Sequence, residues 1–408
     1  MANETHYDVI IVGAGPAGCA SAIQLSGSGL SVLLLEKSTF PRDKTCGDAL
    51  SLDVVNQLNW LNPKLAQRFE NFAKKTPSFG VRFYAPSREI VDIPFIHKGK
   101  NKCGYICSRL DFDNLLFEFV QEETHTEIRQ NCKATSVNTN DTIGIVVTDQ
   151  GKFTSDLIIA SDGAHSIVNK QITGQEVDKK HHSAGLRWYY EGVTGFHEDG
   201  FIELHYLKDI LPGYLWIFPM PNNTANVGIG LLSSEVSKKK INIKEVLDHY
   251  VNADPFLRER FKKAKPLETK KGYGLPLGSK KRPLSGNRIL LTGDAGSLID
   301  PLSGEGIANA IRSGRFAADH AKICFTQQNF SSSFNLAYDE KLYKAIWNEL
   351  RVSRALQRMF KYPRFANFLA RRTNQSQKLK QFMIEALENV DQKKLLTRPG
   401  ILYRIWLK

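Results

Sequence analysis

The most restrictive feature of the sequence is a glycine pattern near its start, in YDVIIVGAGPAGCASAIQLSGSGLSVLLLEK. The apolar run Val9 to Val12 predicts a buried parallel strand that ends at Gly13. Residues with helical spacing follow, and a second apolar run ends at Glu36. Gly13, Gly15 and Gly18 thus form G-x-G-x-x-G between a strand and a helix. With the acidic residue after the second strand, this pattern predicts a βαβ unit that binds a dinucleotide.

Each part of this pattern has its own physical task. The first glycine permits a tight turn, the second lets the backbone approach a pyrophosphate, and the third lets helix and strand pack closely. The helix N-terminus offers free N–H groups, and the acidic residue accepts hydrogen bonds from ribose hydroxyls. The alternative is that the glycines serve packing alone. The predicted cofactor contacts in this unit are Gly13, Gly15, Pro16, Ala17, Gly18, Glu36 and Lys37.

Two later segments distinguish FAD from NAD. DLIIASDGAHSIV predicts a strand that delivers Asp162 and Gly163 to a turn, and NRILLTGDAGSLIDPLSGEGIANAIRSG predicts a strand, Asp294 and a glycine-rich helix start. With the first unit, these segments resemble the glutathione-reductase-like FAD fold, in its aromatic-hydroxylase branch, over residues 1–340. The resemblance implies FAD and assigns the ribityl chain to Asp294. One departure is that Asn169 and Lys170 stand where the branch usually has arginine.

The glycine-rich turn GEGIANA also has a physical explanation of its own. Glycines at a helix start expose backbone N–H groups, which suit the negative charge that a reduced flavin holds around N1 and O2. The candidates are Gly304, Gly306 and Ile307. No second G-x-G-x-x-G followed by an acid is found. The expected reductant is therefore NAD(P)H that docks transiently or an electron-carrier protein.

The loop STFPRDKTCGDALS resembles the geranylgeranyl reductase family, in which a Pro–Lys–Cys–Gly run passes over the flavin. Here the resemblance makes Cys46, Gly47 and Ala49 cofactor-binding residues, with Cys46 lining the isoalloxazine face and open to a redox role. An ordinary buried thiol is the alternative. The resemblance also implies that Arg109 binds the flavin diphosphate or ribityl chain and that the backbone of Ala134 contacts the adenine. A surface arginine is the alternative for the former.

Three aromatic residues alternate in YLWIFPMPNNTANVGIG, as on one face of a strand. The segment resembles the prenyl-reductase motif of the same family, Tyr-x-Trp-x-Phe-Pro followed by Gly-x-Gly. The rings predict a flat apolar wall, and the glycines of the adjoining strand predict a tunnel for an isoprenoid or acyl chain. A plain aromatic sheet core is the alternative. The predicted substrate residues are Tyr214, Trp216, Phe218, Pro219, Gly228 and Gly230.

The family resemblance, the motif order and the charge distribution together predict the domain organisation. The fold class is α/β with α+β: a Rossmann-like FAD-binding domain built on the βαβ unit and a mixed sheet, an inserted antiparallel-sheet substrate domain, and a helical C-terminal region. The predicted bounds are 1–80, 104–180 and 275–340 for the FAD-binding domain, 81–103 and 181–274 for the substrate domain, and 341–408 for the basic C-terminal region. Six thinly spread cysteines predict neither disulfides nor a metal site.

Nearly all of the net charge of +13 lies in the C-terminal region, which has 16 Lys and Arg against four Asp and Glu. Its cations alternate with aromatic residues, and Tyr403 and Trp406 stand near the end. Such a mixture suits the interface of an anionic membrane, with helices that merely cover the core as the alternative. No nucleic-acid motif accompanies the charge. No secretory or membrane-spanning segment is evident, so the expected location is cytoplasmic, with peripheral contact on the inner membrane face.

The leading functional hypothesis is a FAD-dependent oxidoreductase of the geranylgeranyl reductase type that saturates C=C bonds of a prenyl or related lipid. Reduced flavin transfers a hydride to one alkene carbon and the other is protonated, with Tyr214, Cys46 and water as open candidates for the proton donor. Cys46, Tyr214 and Trp216 are the predicted catalytic residues. Oxygen chemistry on the same fold, as in hydroxylases or halogenases, is the second hypothesis. A lipid escort protein without flavin is the third.

Overall fold

The computed structural model describes residues 5–97, 100–174 and 177–388. Its helices are α1 (Pro16–Leu25), α2 (Leu52–Leu61), α3 (Pro63–Glu70), α4 (Arg109–Glu123), α5 (Ile167–Thr173), α6 (Ser233–Lys239), α7 (Ile243–Asn252), α8 (Arg258–Phe261), α9 (Ile307–Gln327), α10 (Ser332–Met359), α11 (Pro363–Gln375) and α12 (Gln377–Glu388).

The strands up to the middle of the chain are β1 (Thr5–Val12), β2 (Val32–Leu35), β3 (Ala49–Leu50), β4 (Thr76–Ser78), β5 (Gly80–Tyr84), β6 (Ile90–Pro94), β7 (Ile96–His97), β8 (Lys100–Asn101), β9 (Gly104–Ile106), β10 (Glu127–Arg129), β11 (Ala134–Thr139), β12 (Gly144–Thr148) and β13 (Gly151–Ala160). The later strands are β14 (His182–Glu191), β15 (Ile202–His205), β16 (Tyr214–Met220), β17 (Thr224–Leu232), β18 (Lys265–Pro266), β19 (Lys271–Pro276), β20 (Ser285–Gly286) and β21 (Ile289–Leu291).

The first sheet has the strand order β10-β2-β1-β13-β12-β11, and β21 also pairs with β13. Strands β10, β2, β1, β13 and β21 run parallel, while β11 and β12 form an antiparallel hairpin beside β13. Successive apolar residues of β1 point to opposite faces: Val9 and Ile11 pack towards α1 and α9, whereas Ile10 and Val12 face the hairpin. Burial on both faces explains the uninterrupted apolar runs of the central strands.

The second sheet has the order β18-β14-β17-β16-β15-β5-β6, with β19 on β14. Its pairs are antiparallel except for β5 and β15, which are parallel. Helices α7 and α8 pack on one face against Leu215, Ile217 and Ile229. The alternate residues of β16, including Trp216, face the first sheet's side of the molecule. A mixed parallel sheet combined with a largely antiparallel one confirms the predicted fold class, while the exact domain bounds remain a prediction.

The C-terminal helices cover apolar surface in the described part of the chain. Leu342, Ile346 and Leu350 of α10 belong to the main core, and Ala370 of α11 and Ile384 of α12 pack with residues of β6. Residues 389–408, with the predicted membrane-binding aromatic residues at the chain end, lie outside the described residues. None of the helices described here has the length and apolar content required to span a bilayer.

Candidate active site

A large cavity of about 1220 Å³ lies between the carboxyl ends of the first sheet's strands and the inner face of the second sheet. Ligands of open α/β sheets bind at this edge, where strand ends and helix N-termini meet. The predicted cofactor residues that border the cavity are Gly13, Gly15, Pro16, Ala17, Glu36, Lys37, Cys46, Gly47, Ala49, Arg109, Ala134, Asp162, Gly163, Asp294, Gly304, Gly306 and Ile307.

The cavity begins at the turn between β1 and α1. Gly13 has a positive φ of 98°, which explains why this position favours glycine. Gly18 does not border the cavity: a Cβ there would lie 1.9 Å from the carbonyl oxygen of Gly13, so its part is the close packing of α1 on the turn. A Cβ on Gly15 would meet only the Arg42 side chain, at 3.7 Å. The backbone at Gly15 is therefore open towards the cavity, as the approach of a pyrophosphate requires.

Glu36 is held by the backbone at the end of β2. Its Oε2 accepts from the Ala14 amide at 2.9 Å and its Oε1 from the Ser38 amide at 3.0 Å. The residue is 4% exposed and borders the cavity. Because each oxygen of a carboxylate can accept more than one hydrogen bond, Glu36 can also accept hydrogen bonds from ribose hydroxyls. These contacts fit the adenosine end of a dinucleotide.

The opposite end of the cavity is formed by Asp294 and the start of α9. Gly304 has a positive φ of 71°, and a Cβ on Gly306 would lie 3.0 Å from Ile299 and 3.3 Å from Asp294. No described side chain caps the first turn of α9, and Gly306 and Ile307 at this turn border the cavity, so its backbone amides can donate to a ligand there. Between the two ends, the buried Oδ1 of Asp162 has no hydrogen-bond partner in the described chain. An uncapped helix start and an orphan acceptor fit an extended FAD molecule.

Arg109 is the first residue of α4 and is buried beside Asp113. Its Nε and Nη2 donate to the two carboxylate oxygens at 2.6 and 2.8 Å, and Arg42 Nη1 donates to the same carboxylate at 2.7 Å. Burial opposes ionisation of Asp113, yet the two guanidinium groups hold its pKa below the usual value. Arg109 is thus no surface residue, and the pair Arg42 and Asp113 was missed from the sequence. One cue was available: Arg42 follows Pro41 in the loop that carries Cys46.

The loop that carries Cys46 lies directly against the aromatic row. A Cβ on Gly47 would be 3.1 Å from the ring of Phe218 and 3.6 Å from the indole nitrogen of Trp216. The Cys46 side chain is half-buried and borders the cavity. The structure therefore brings the predicted cysteine loop and the predicted aromatic wall together, although about 170 residues of sequence separate them.

The aromatic row spans from the loop to the turn before α9. The ring centroids of Tyr214 and Trp216 are 6.2 Å apart, and those of Trp216 and Phe218 are 6.3 Å apart. The Tyr214 hydroxyl donates to the carbonyl oxygen of Ser303 and lies 3.2 Å from the Cβ position of Gly304. Burial raises the pKa of Tyr214 well above its usual value, so the hydroxyl stays protonated. The row thus ends at the glycine-rich turn before α9.

Two predicted substrate residues do not border the cavity. Gly228 pairs directly with Trp216 across the strands, and a Cβ there would lie 2.1 Å from the indole ring. Its missing side chain provides space for Trp216 and does not open a tunnel, which corrects the prediction. Pro219 lies beyond the cavity wall as well, next to the strand end. Tyr214, Trp216, Phe218 and Gly230 do border the cavity.

Comparison with known proteins now decides the family. Residues 6–318 match the family model described as FAD binding domain. The digeranylgeranylglycerophospholipid reductase of Methanococcus vannielii is 30% identical over 373 residues, covering 87% of this chain and 88% of that protein. The chain belongs to the geranylgeranyl reductase family of FAD-dependent oxidoreductases. As a member of this reductase family it binds FAD, and the residues that border the cavity fit that cofactor.

Other relatives agree with this family. The menaquinone reductase of Mycobacterium tuberculosis is 27% identical over 339 residues, which cover 78% of this chain and 77% of that protein. Among solved structures, a geranylgeranyl bacteriochlorophyll reductase-like protein of Thermoplasma acidophilum has a TM-score of 0.80 at 21% identity and covers 97% and 99% of the two chains. A flavin-dependent brominase has a TM-score of 0.76 at 20% identity and covers 98% and 99%. These two likenesses concern the fold alone.

Proposed function

We propose that this reductase saturates C=C bonds in the isoprenoid chain of a lipid, and that the chain lies against the wall formed by Tyr214, Trp216 and Phe218. The observation that carries the proposal is the position of this wall, which runs from the Cys46 loop to the glycine-rich turn at Gly304. The relatives support it, because digeranylgeranylglycerophospholipid and menaquinone both carry isoprenoid chains.

The residues of the site share the work of binding and orientation. FAD, once bound and reduced, supplies a hydride to one alkene carbon. The rings of Trp216 and Phe218 bind the apolar chain and exclude water from the reacting carbons. A proton must reach the second carbon, and the structure leaves Tyr214, Cys46 and water as candidates. Tyr214 holds its proton firmly against the Ser303 carbonyl, so we expect this hydroxyl to orient the substrate more than to donate.

The roles of the cofactor residues are part of the same proposal. We assign the ribose to Glu36, the pyrophosphate to the turn at Gly15, the ribityl chain to Asp294 and the flavin N1 and O2 edge to the amides after Gly304. Lys44 Nζ lies 3.5 Å from Asp294 Oδ2, so we assign this lysine to the neighbourhood of the ribityl chain as well. The reductant remains NAD(P)H or an electron-carrier protein.

We also propose that the protein contacts a membrane surface and takes its lipid substrate from there. At the end of α10 and the start of α11, Arg358, Met359, Lys361, Tyr362 and Phe365 surround a surface pocket of about 470 Å³. Tyr362 is 64% exposed. Exposed aromatic residues beside cations suit an anionic interface, where each cation contributes about 1 kcal/mol. Sedimentation with anionic vesicles should exceed that with neutral vesicles, and equal binding to both would contradict this contact.

The decisive experiment is an anaerobic single turnover. Dithionite-reduced, FAD-loaded protein is mixed with a geranylgeranyl lipid, menaquinone or an aromatic acid. Flavin absorbance at about 450 nm is followed, and the masses of the products are measured by mass spectrometry. We expect an isoprenoid lipid to reoxidise the flavin and to gain two hydrogen atoms per double bond. Oxidation that requires oxygen, with a hydroxylated or halogenated product, would contradict the proposal and favour the oxygen chemistry of the alternative hypothesis.

A further inference from the structure

The loop over the cavity contains a carboxylate that the mechanism above does not use. Asp48 follows Gly47 and has a positive φ of 64°, a conformation uncommon for a residue with a side chain. Its side chain is fully buried, although the residue forms part of the cavity wall. A buried carboxylate in a strained loop requires partners that hold it there.

Three donors converge on this carboxylate. Oδ2 accepts from the Tyr189 hydroxyl and from Asn226 Nδ2, the latter at 2.8 Å, while Oδ1 accepts from the backbone amide of Arg109 at 3.3 Å. Tyr189 and Asn226 are neighbours across strands β14 and β17 of the second sheet. Asp48 therefore joins the cysteine loop to the sheet that carries the aromatic row.

Asn226 extends this connection to the aromatic wall. Its Nδ2 also donates to the carbonyl oxygen of Cys46 at 2.8 Å, and its Oδ1 accepts from the indole Nε1 of Trp216 at 2.8 Å. An indole nitrogen can only donate and an ionised carboxylate can only accept, so the orientation of the amide is determined. One amide thus fixes both the Cys46 loop and the Trp216 ring, and Asp48 fixes the amide.

The negative charge of Asp48 does not stabilise the fold. Burial raises its pKa to about 6, even though Tyr189, Arg187, Asn226 and Arg109 favour the ionised form. At neutral pH the side chain is mainly ionised, and its ionisation costs folding free energy that an uncharged residue would not require. A variant with a neutral residue of the same shape at position 48 should accordingly fold, although its side chain presents a different set of hydrogen-bond donors and acceptors.

We propose that Asp48 is a positioning residue, which locks Trp216 and the Cys46 loop into one arrangement at the reacting end of the cavity. Asparagine at this position cannot replace it. Whichever way the new amide is turned, its NH₂ group faces one of two donors, Asn226 Nδ2 or the Arg109 amide. The effect on lipid reduction rests on the proposed function, whereas the effect on loop mobility does not.

The test measures the exposure of Cys46 in the FAD-loaded protein. In a Cys103→Ser background, Cys46 is the one described thiol that is not fully buried, so its alkylation by iodoacetamide can be followed by mass spectrometry. We expect Asp48→Asn to raise the alkylation rate at least tenfold with FAD affinity unchanged. Asp199→Asn removes a carboxylate that is 62% exposed and outside the cavity wall, and should leave the rate unchanged.

A second variant keeps the carboxylate and removes one donor. Tyr189→Phe should raise the alkylation rate two- to fivefold, which provides the test if Asp48→Asn does not fold. An unchanged rate in a folded, FAD-loaded Asp48 or Tyr189 variant overturns the positioning role. If isoprenoid lipids are substrates, Asp48→Asn should also raise KM for the lipid more than it lowers kcat. Faster alkylation in a protein that reduces no lipid would support the positioning role and contradict the proposed function.

Discussion

The two glycines opposite the aromatic row offer a quantitative test, because the structure gives them different tasks. A Cβ at residue 228 would lie 2.1 Å from the Trp216 ring and 2.4 Å from the backbone oxygen of Leu186. The ring cannot escape without leaving its hydrogen bond to Asn226, and the backbone oxygen cannot rotate away. A Cβ at residue 230 would meet only the Trp216 ring, at an ordinary 3.7 Å.

Gly228→Ala should therefore destabilise the protein by about 1–3 kcal/mol, the usual range for overpacking. Gly230→Ala should change the free energy of unfolding by less than about 0.5 kcal/mol, because its methyl group enters the cavity. Urea denaturation of the FAD-loaded proteins, followed by circular dichroism, measures both values by linear extrapolation. Equal stability of the two variants, or a larger loss in Gly230→Ala, would refute the assigned packing of Trp216.

Three further predictions concern the cofactor, the wall and the buried carboxylate. Glu36→Gln should weaken FAD binding by about 1–2 kcal/mol, or about tenfold in Kd, because a charged acceptor is lost; fluorescence titration measures it, and unchanged affinity would contradict the ribose assignment. Tyr214→Phe should lower the rate of anaerobic flavin reoxidation by the lipid while leaving FAD affinity unchanged; loss of FAD would instead make Tyr214 a cofactor residue. Asp48 has its pKa raised to about 6, so its stabilising contribution is complete below about pH 4 and is lost as pH rises through 6. From pH 4 to 7 the wild type should lose about 2 kcal/mol relative to Asp48→Asn in urea denaturation, and parallel stability curves would contradict this.

The front of the FAD-binding site was predictable because its signals are local. An apolar run that ends in a glycine turn and a helix start dictates the shape of the cradle, whatever the rest of the chain does. The same holds for the aromatic row, since alternate residues of a strand must share a face. Asp294 and the turn at Gly304 required the family resemblance in addition to the local pattern, because a glycine-rich helix start alone does not specify a flavin.

The parts that were missed depend on contacts between distant segments. Asp48 meets Tyr189 across 141 residues and Asn226 across 178 residues, and no periodicity connects them. The one available cue was Asn226 itself, a polar residue between the apolar residues Ala225 and Val227 of β17. The role of Gly228 was predicted wrongly for a related reason. A glycine can leave space for a ligand or for the side chain of a neighbouring residue, and only the cross-strand register decides which.

The central claim is that an isoprenoid chain lies between the flavin site and the aromatic wall. The most direct measurement is a crystal structure of the FAD-loaded protein with a geranylgeranyl lipid bound. We predict an alkene carbon about 3–3.5 Å from the hydride-donating flavin nitrogen, with the chain in contact with Trp216 and Phe218. A lipid bound elsewhere, with the face of Trp216 in contact with solvent or with another part of the protein, would contradict the account.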